Sequence, residues 1–309
     1  MSRPVRQGIF MIVLALALAL LLGSGCAVRR FAVNQVGAAL ASGGGTFAED
    51  DDPDLVRDAS AFSLKLMESL LAENPRHRAL LLAAASGFTQ YAYAFVQPVA
   101  VEAETRDMAA ATALRTRARR LYLRARNYGL RGLEVNHRGF AAALRTHPLP
   151  TVRAATKRDV ALLYWTAASW GAAMAMSKND PDLVADQPIV EALIDRALAL
   201  DEGFDQGAIH SFLISYEMAR RGAPGDPAVR AREHFERAMT LSGGQLAAPL
   251  VSFAEQVCVA KQNRAEFEAL LHKALAIDVD ARPERRLENL VMQRRARWLL
   301  SRVDEFFVE

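Results

Sequence analysis

Cysteine is almost missing from this chain: Cys26 and Cys258 are its only two in 309 residues. Cys26 sits in an N-terminal signal, described next, so Cys258 would stand alone and no internal disulfide framework is available. The apolar words around it, Val257-Cys258-Val259-Ala260, are the setting of a buried, inert thiol. Six histidines, at 77, 137, 147, 210, 234 and 272, show no metal-ligand spacing, and neither His-Glu-x-x-His nor a paired Cys-x-x-Cys occurs. That excludes the common zinc sites, and no cofactor is implied. An excess of one charge is missing as well: 38 basic against 35 acidic side chains leave nothing to hold nucleic acid. β-branched alternation is nearly absent, so strands are not needed. No catalytic constellation survives inspection, and an enzyme acting on cell wall or lipid has nothing to rest on.

What is present begins at the N-terminus. Arg3 and Arg6 precede an uninterrupted apolar run from Ile9 to Leu22, which ends in Leu21-Leu22-Gly23-Ser24-Gly25-Cys26. Order and size are those of a secretory signal, residues 1–25, and the run is shorter than the roughly 20 residues of a spanning helix. The end resembles a bacterial lipobox, with Gly23 where leucine is preferred; an ordinary signal peptide is the alternative. A lipidated Cys26 carrying two or more acyl chains, each methylene contributing about 0.8 kcal/mol, would anchor the mature protein stably to the inner or outer membrane. The rest would lie in the periplasm, with residues 26–46 as tail and first helix and residues 47–309 as the folded domain.

Ala, Leu, Arg and Glu dominate that domain, the composition of an all-α fold. A phrase recurs at helix ends: Gly132-Leu133-Glu134-Val135-Asn136, Ala197-Leu198-Ala199-Leu200-Asp201, Ala238-Met239-Thr240-Leu241-Ser242 and Ala274-Leu275-Ala276-Ile277-Asp278. The last three copies begin 41 and 36 residues apart, close to the 34-residue tetratricopeptide period. Ala231, Phe235 and Ala238 follow the small-large-small pattern of a second repeat helix, and Val190, Ile194, Ala197 and Ser63, Met67, Leu70 follow it in size class. Asp52-Pro53, Asp180-Pro181 and Asp226-Pro227 read as N-cap and first helical residue. The predicted helices are 28–41, 53–73, 77–97, 102–135, 151–177, 181–201, 205–221, 226–242, 246–261, 263–278 and 284–303, about five helical hairpins and a C-terminal capping helix. Breaks are expected at Gly43-Gly44-Gly45 and around His147-Pro148-Leu149-Pro150.

Four local features invite chemistry. The acidic run Glu49 to Asp54 lacks the glycine and distal glutamate of a calcium loop and fits helix capping better. Gly243-Gly244-Gln245 follows a helix as a glycine C-cap would. Arg115, Arg117, Arg119, Arg120, Arg124, Arg126 and Arg131 read as a solvated helix face, open to an acidic partner or anionic lipid. Phe88, Tyr91, Tyr93 and Phe95 crowd one helix and Tyr164, Trp165 and Trp170 another. Packing between repeats explains such residues; so does an apolar cavity with a few polar handles, to which His210 and Tyr216 could add.

Longer words resemble a known family. The stretch from Phe47 to Asp58, Lys65 to Leu71, Ala84 to Val96, Ala208-Ile209-His210, Ala231 to Ala238, and Asn289-Leu290 to Arg297-Trp298-Leu299-Leu300 are similar to the T component of TRAP-associated transport systems. The resemblance, spanning about residues 24 to 304, implies a tetratricopeptide-like periplasmic lipoprotein with an internal pore or cleft. It also implies self-association as a trimer and docking of a TRAP-type solute-binding subunit beside a secondary transporter, without turnover chemistry. The ligand, if any passes through, would be small and hydrophobic. A repeat scaffold that binds peptides or envelope-assembly proteins is the alternative.

Overall fold

The computed structural model describes residues 35, 37, 44–177 and 179–308. Cys26 and the signal lie outside these, as does the helix expected over 28–41 apart from residues 35 and 37, which are helical. All regular elements among the described residues are helical. They run α1 (Gly44–Ala48), α2 (Pro53–Glu73), α3 (Arg78–Tyr91), a π-helical segment (Ala92–Val96), α4 (Gln97–Ala103), α5 (Met108–Glu134), α6 (Phe140–Thr146), α7 (Pro148–Val152), α8 (Val160–Ala175), α9 (Pro181–Ala185) and α10 (Gln187–Leu200). The chain continues through α11 (Ala208–Ala219), α12 (Pro227–Leu241), α13 (Ala247–Phe253), a second π segment (Ala254–Cys258), α14 (Arg264–Leu275), α15 (Arg286–Leu300) and α16 (Val303–Phe306).

The helix starts follow the predicted caps. The Asp52 carboxylate accepts from the N–H groups of Asp54 and Leu55 at 3.0 Å, Asp180 from Leu183 at 3.2 Å and Asp226 from Ala228 at 2.9 Å. Gly243 and Gly244 turn out of α12 at φ 61° and 72°, and the Gly244 N–H returns to the Met239 carbonyl at 2.9 Å. Repeat positions are inside: Val190, Ile194, Ala197, Ala231, Phe235 and Ala238 are all buried, as is Met67, while Ser63 and Leu70 are partly covered.

Several boundaries differ from expectation: the helix expected over 102–135 begins at Met108, capped by Asp107, and α6 and α7 fill the expected break around His147. A helical turn already begins at Gly44. The helix expected over 151–177 starts only at Val160, because Thr156 and Asp159 form a capping box there: the Thr156 N–H donates to Asp159 Oδ2 at 2.9 Å. Pro188 enforces a second start after Asp186, splitting 181–201 into α9 and α10. Lastly, α3 does not stop at 97 but runs through the π segment into α4. Pro98 lacks an N–H and its ring would collide with the carbonyl four residues back. The wider turn, in which the Gln97 N–H reaches the Ala92 carbonyl, lets the helix pass it. Arg78–Ala103 is apolar and long enough to cross a membrane by composition alone, yet half of its apolar window is buried in the protein.

Successive helices pack on one another, and the most extensive contact joins α5 to α8. Small residues allow it. A Cβ at Gly129 would lie 2.1 Å from Thr166 Oγ1, and one at Gly132 would lie 2.5 Å from Leu162 Cδ2. Behind this seam, buried Asp159 binds Arg78 at 2.8 Å and His137 at 3.1 Å, tying the start of α8 to the start of α3.

The first and last helices also touch. Arg286 Nη1 donates to the Glu49 carbonyl at 2.7 Å, Arg294 lies 3.3 Å from Asp54, and Arg302 donates to Thr105 Oγ1 at 3.2 Å. Asp205 and Gln206, at φ 45° and 57°, join the same helix from the middle of the chain. Asp205 ion-pairs with Arg285, and Arg282 donates to Gln206 Oε1 at 2.9 Å. Inside, Asn289 receives the Ala247 N–H at 2.9 Å, and the Gln293 amide donates to the carbonyls of Ala274 and Ile277 at 3.1 and 2.8 Å.

The α5/α8 seam gives a direct test. Gly129→Ala should destabilise the fold by about 1–3 kcal/mol through overpacking against Thr166. Urea denaturation followed by circular dichroism measures it, and an unchanged midpoint would contradict the close approach.

Candidate functional site

The aromatic residues divide into two groups. Phe88 is buried, stacks on Tyr128 with centroids 5.9 Å apart and lies under Arg124, so it packs α3 on α5. Trp170 is buried too; its indole N–H donates to Asp186 Oδ2 at 3.1 Å and Arg126 covers its ring at 4.7 Å. Tyr216 is buried against Phe212, with its hydroxyl unpaired and held high by burial and by Glu191. Tyr91 and Phe95 contact each other at 5.8 Å, and Arg117 donates to the Tyr91 hydroxyl at 3.3 Å.

Tyr93 behaves differently. It sits in the first π segment, and a π turn re-aims the side chains it carries. Its ring is 45% exposed. Even so, desolvation, aided by the charge of Glu255, pushes its hydroxyl up to about 12, with nearby Ser252 opposing. Glu255 belongs to the second π segment, and Ser252 stands just before it. The second π segment thus lies within electrostatic reach of Tyr93.

Tyr164 faces the same groups. It packs on Trp165 at 4.8 Å and on Phe204 at 5.4 Å. Burial first, then the charges of Asp205 and Glu288 and the neighbouring Tyr93, raise its hydroxyl. Glu288 on α15 is raised as well, because its desolvation outweighs Arg285 at 3.4 Å. Tyr122, buried beside them, donates to Gln97 Oε1 at 2.6 Å. Ser252, Glu255, Asp205 and Glu288 were not singled out in the sequence: each lies in an ordinary helical or turn context, and only the tertiary fold brings them to Tyr93 and Tyr164. A small open cleft of about 330 Å³ lies nearby, lined by Gln97, Ala100, Val101, Glu104, Arg115, Ala175 and Met176.

The basic run of α5 is largely used within the chain. Arg115 pairs with Glu104, Arg119 with Asp180 at 2.5 Å and Arg124 with Glu68 at 3.5 Å, while Arg131 donates to the Pro75 carbonyl at 3.1 Å. With Arg117 on Tyr91 and Arg126 over Trp170, these guanidinium groups mostly join neighbouring helices, and Arg120 is exposed. Among the described residues no cluster of three or more His, Cys, Asp or Glu side chains could hold a metal ion.

A family model described as TRAP transporter T-component matches residues 49–307. The chain belongs to the TRAP transporter T-component family. It is also 32% identical over 269 residues to an uncharacterised protein of Treponema pallidum (strain Nichols), a match covering 85% of this chain and 83% of that protein. The T-component match accounts for the words quoted from Phe47 onward and gives the chain a role in a TRAP transport system. The family is one of transport accessory subunits.

In this T-component His210 meets an element the sequence did not suggest. Its Nδ1 lies 2.8 Å from Nδ1 of His234, so one ring donates and the other accepts. Its Nε2 lies 3.3 Å from Glu202, which Arg237 holds down to about 2. Burial, then the neighbouring His210 and the guanidinium groups of Arg220 and Arg230, hold His234 down to about 4, with Glu217 opposing; burial also lowers His210 despite Glu202. Both rings are neutral in the fold and take up protons more readily when unfolded. Stability is therefore complete above the unfolded value of about 6.5 and is lost as pH falls from there toward 4, by about 3 kcal/mol at most for His234. Urea titrations at pH 7.5 and 4.5 should show this loss, and His234→Gln should reduce it.

Cys258 is buried and its thiol is pushed up to about 12 by desolvation and by Glu266. It should resist a maleimide in the native protein at pH 7.5 and react fully in urea; fast native labelling would show the burial to be wrong.

Proposed function

We propose that the protein is a lipid-anchored periplasmic subunit of a TRAP-type secondary transport system, that it docks the solute-binding subunit, and that its tetratricopeptide-like helices surround a lumen able to hold or pass a small ligand. Membership in the T-component family supports the transport role. The residue that supports the lumen is Tyr93, which is 45% exposed although it sits in the π segment of a helix otherwise packed into the body, with its hydroxyl held up by desolvation. Such a group touches solvent while protein surrounds it. Contact of α15 with the residues of α1 and α2 supports the same reading, since helices far apart in the chain that meet enclose what lies between them. The wall is mixed, with tyrosine rings and carboxyl groups together. Cys26 would supply the anchor, and self-association as a trimer would place several such bodies on one membrane surface.

The test uses the soluble form beginning at Ala27 with a C-terminal tag, incubated with periplasmic extract of the source bacterium and analysed by native mass spectrometry. A trimer that retains a TRAP-type solute-binding subunit is the expected result. A monomer that instead retains unfolded peptides or envelope-assembly proteins would overturn it in favour of a repeat scaffold.

A further inference from the structure

The lumen reading leaves open which ligand chemistry the walls would accept, and the polar groups around Tyr93 and Tyr164 bear on it. Three carboxyl groups, Asp205, Glu255 and Glu288, meet two guanidinium groups: Arg285 is shared by Asp205 and Glu288, and Arg295 is taken by Glu255 at 2.5 Å. Carboxyl groups outnumber guanidinium groups by one. Access is unequal in the same direction. The side chains of Asp205 and Glu288 are 39% and 40% exposed, whereas Arg285 and Arg295 are 16% and 11% exposed. A molecule arriving here meets carboxylate oxygens, and the guanidinium groups lie behind them.

Aromatic rings complete the setting. Tyr164 packs on Phe204 at 5.4 Å beside Asp205, and Tyr93, in the π segment after α3, lies within electrostatic reach of it. The Tyr164 side chain is 8% exposed, and among the described residues its hydroxyl has no hydrogen-bond partner, although it faces the charges of Asp205 and Glu288. Such a hydroxyl is free to bond a polar group that reaches it. Aromatic faces and carboxylates together are the surroundings that attract an organic cation, the rings through their quadrupole and the carboxylates through charge.

We propose that Tyr93, Tyr164, Phe204, Asp205 and Glu288 form a binding site for the cationic head of a small amphipathic molecule, a quaternary ammonium or protonated amine, whose apolar part occupies the rest of the lumen. This rests on the lumen proposed above. Arg285 stabilises the empty site by sharing itself between two carboxylates; a bound cation relieves that sharing.

Octyltrimethylammonium, octanol and octanoate, three probes with the same chain, are titrated by calorimetry at pH 7.5 into the soluble protein beginning at Ala27. The cation should bind at least tenfold tighter than either other probe. Glu288→Gln should bring it to within about threefold of octanol while leaving octanol unchanged. Asp205→Asn, which keeps a side chain that tolerates the positive φ at this position, should weaken the cation alone by a smaller factor. Thermal melting checks that both variants fold. Octanoate or octanol binding as tightly as the cation, or a preference that survives both substitutions, would overturn the site while leaving the lumen standing. If none of the three probes binds, the lumen itself is wrong.

Discussion

The joint on which the architecture depends is the set of arginines and amides projecting from α15 and its flanks. A helical array grown pair by pair has two free ends, and nothing in nearest-neighbour packing makes them meet. Here they meet because Arg286 and Arg294 reach Glu49 and Asp54, Arg302 reaches Thr105, and Arg282 and Arg285 reach Gln206 and Asp205. One segment near the C-terminus thus touches the start, the first third and the middle of the chain. Its inner face is fixed separately: Asn289 and Gln293 satisfy backbone groups of α13 and α14 that would otherwise be buried without partners. Orientation of the outer arginines follows from that inner register.

Packing behind the joint is layered. Leu64, Met67, Leu71, Leu80, Leu81 and Phe88 form one apolar cluster between α2, α3 and α5; a larger one runs from Ala92 to Tyr216; a third runs from Ile214 to Phe307. Helix α11 belongs to the last two, with Leu213 and Tyr216 in one and Ile214 in the other. Buried charges sit at the same junction, where Arg220 and Arg230 bind Glu217 at 2.9 and 2.5 Å. Breaking such a pair by removing one partner would leave an uncompensated charge, so the junction is specific as well as tight.

Local signals carried most of the fold into view from sequence. Asp-Pro words marked helix starts, Gly243-Gly244 marked an end, and the small-large-small phrases fell on buried faces, because each depends on a few adjacent residues. Closure was invisible, since the partners of Arg286 and Arg294 lie 237 and 240 residues away and arginine on a C-terminal helix reads as solvated. The aromatic groups were legible as groups and not by role. Phe88 and Trp170 went into packing, whereas Tyr93, two places beyond Tyr91 on the same helix, was turned by the π segment that Pro98 requires. Its polar companions come from α13, the second π segment and α15, a juxtaposition no spacing rule can deliver. The basic run of α5 misled for a simpler reason: its partners Glu104, Asp180 and Glu68 are on neighbouring helices, and charge counts along one helix do not see them.

The strength of the closure is uneven, and that matters for any ligand. Arg295 is largely covered where it pairs with Glu255 and stacks on Trp298 at 4.2 Å, and Arg285 is covered where it holds Asp205. Arg294 and Asp54, by contrast, are 68% and 57% exposed, and exposed pairs of this kind contribute about 0–1 kcal/mol each and weaken with salt. Contact between α15 and the first two helices is otherwise small beside the α5/α8 seam. The contacts of α15 and its flanks are therefore tight toward the middle of the chain and loose toward α1 and α2. Opening there would sacrifice a few solvated polar contacts and little apolar area, whereas opening between α5 and α8 would empty the largest apolar cluster. Energetics therefore place the easiest opening for a ligand at the meeting of α15 with α1 and α2.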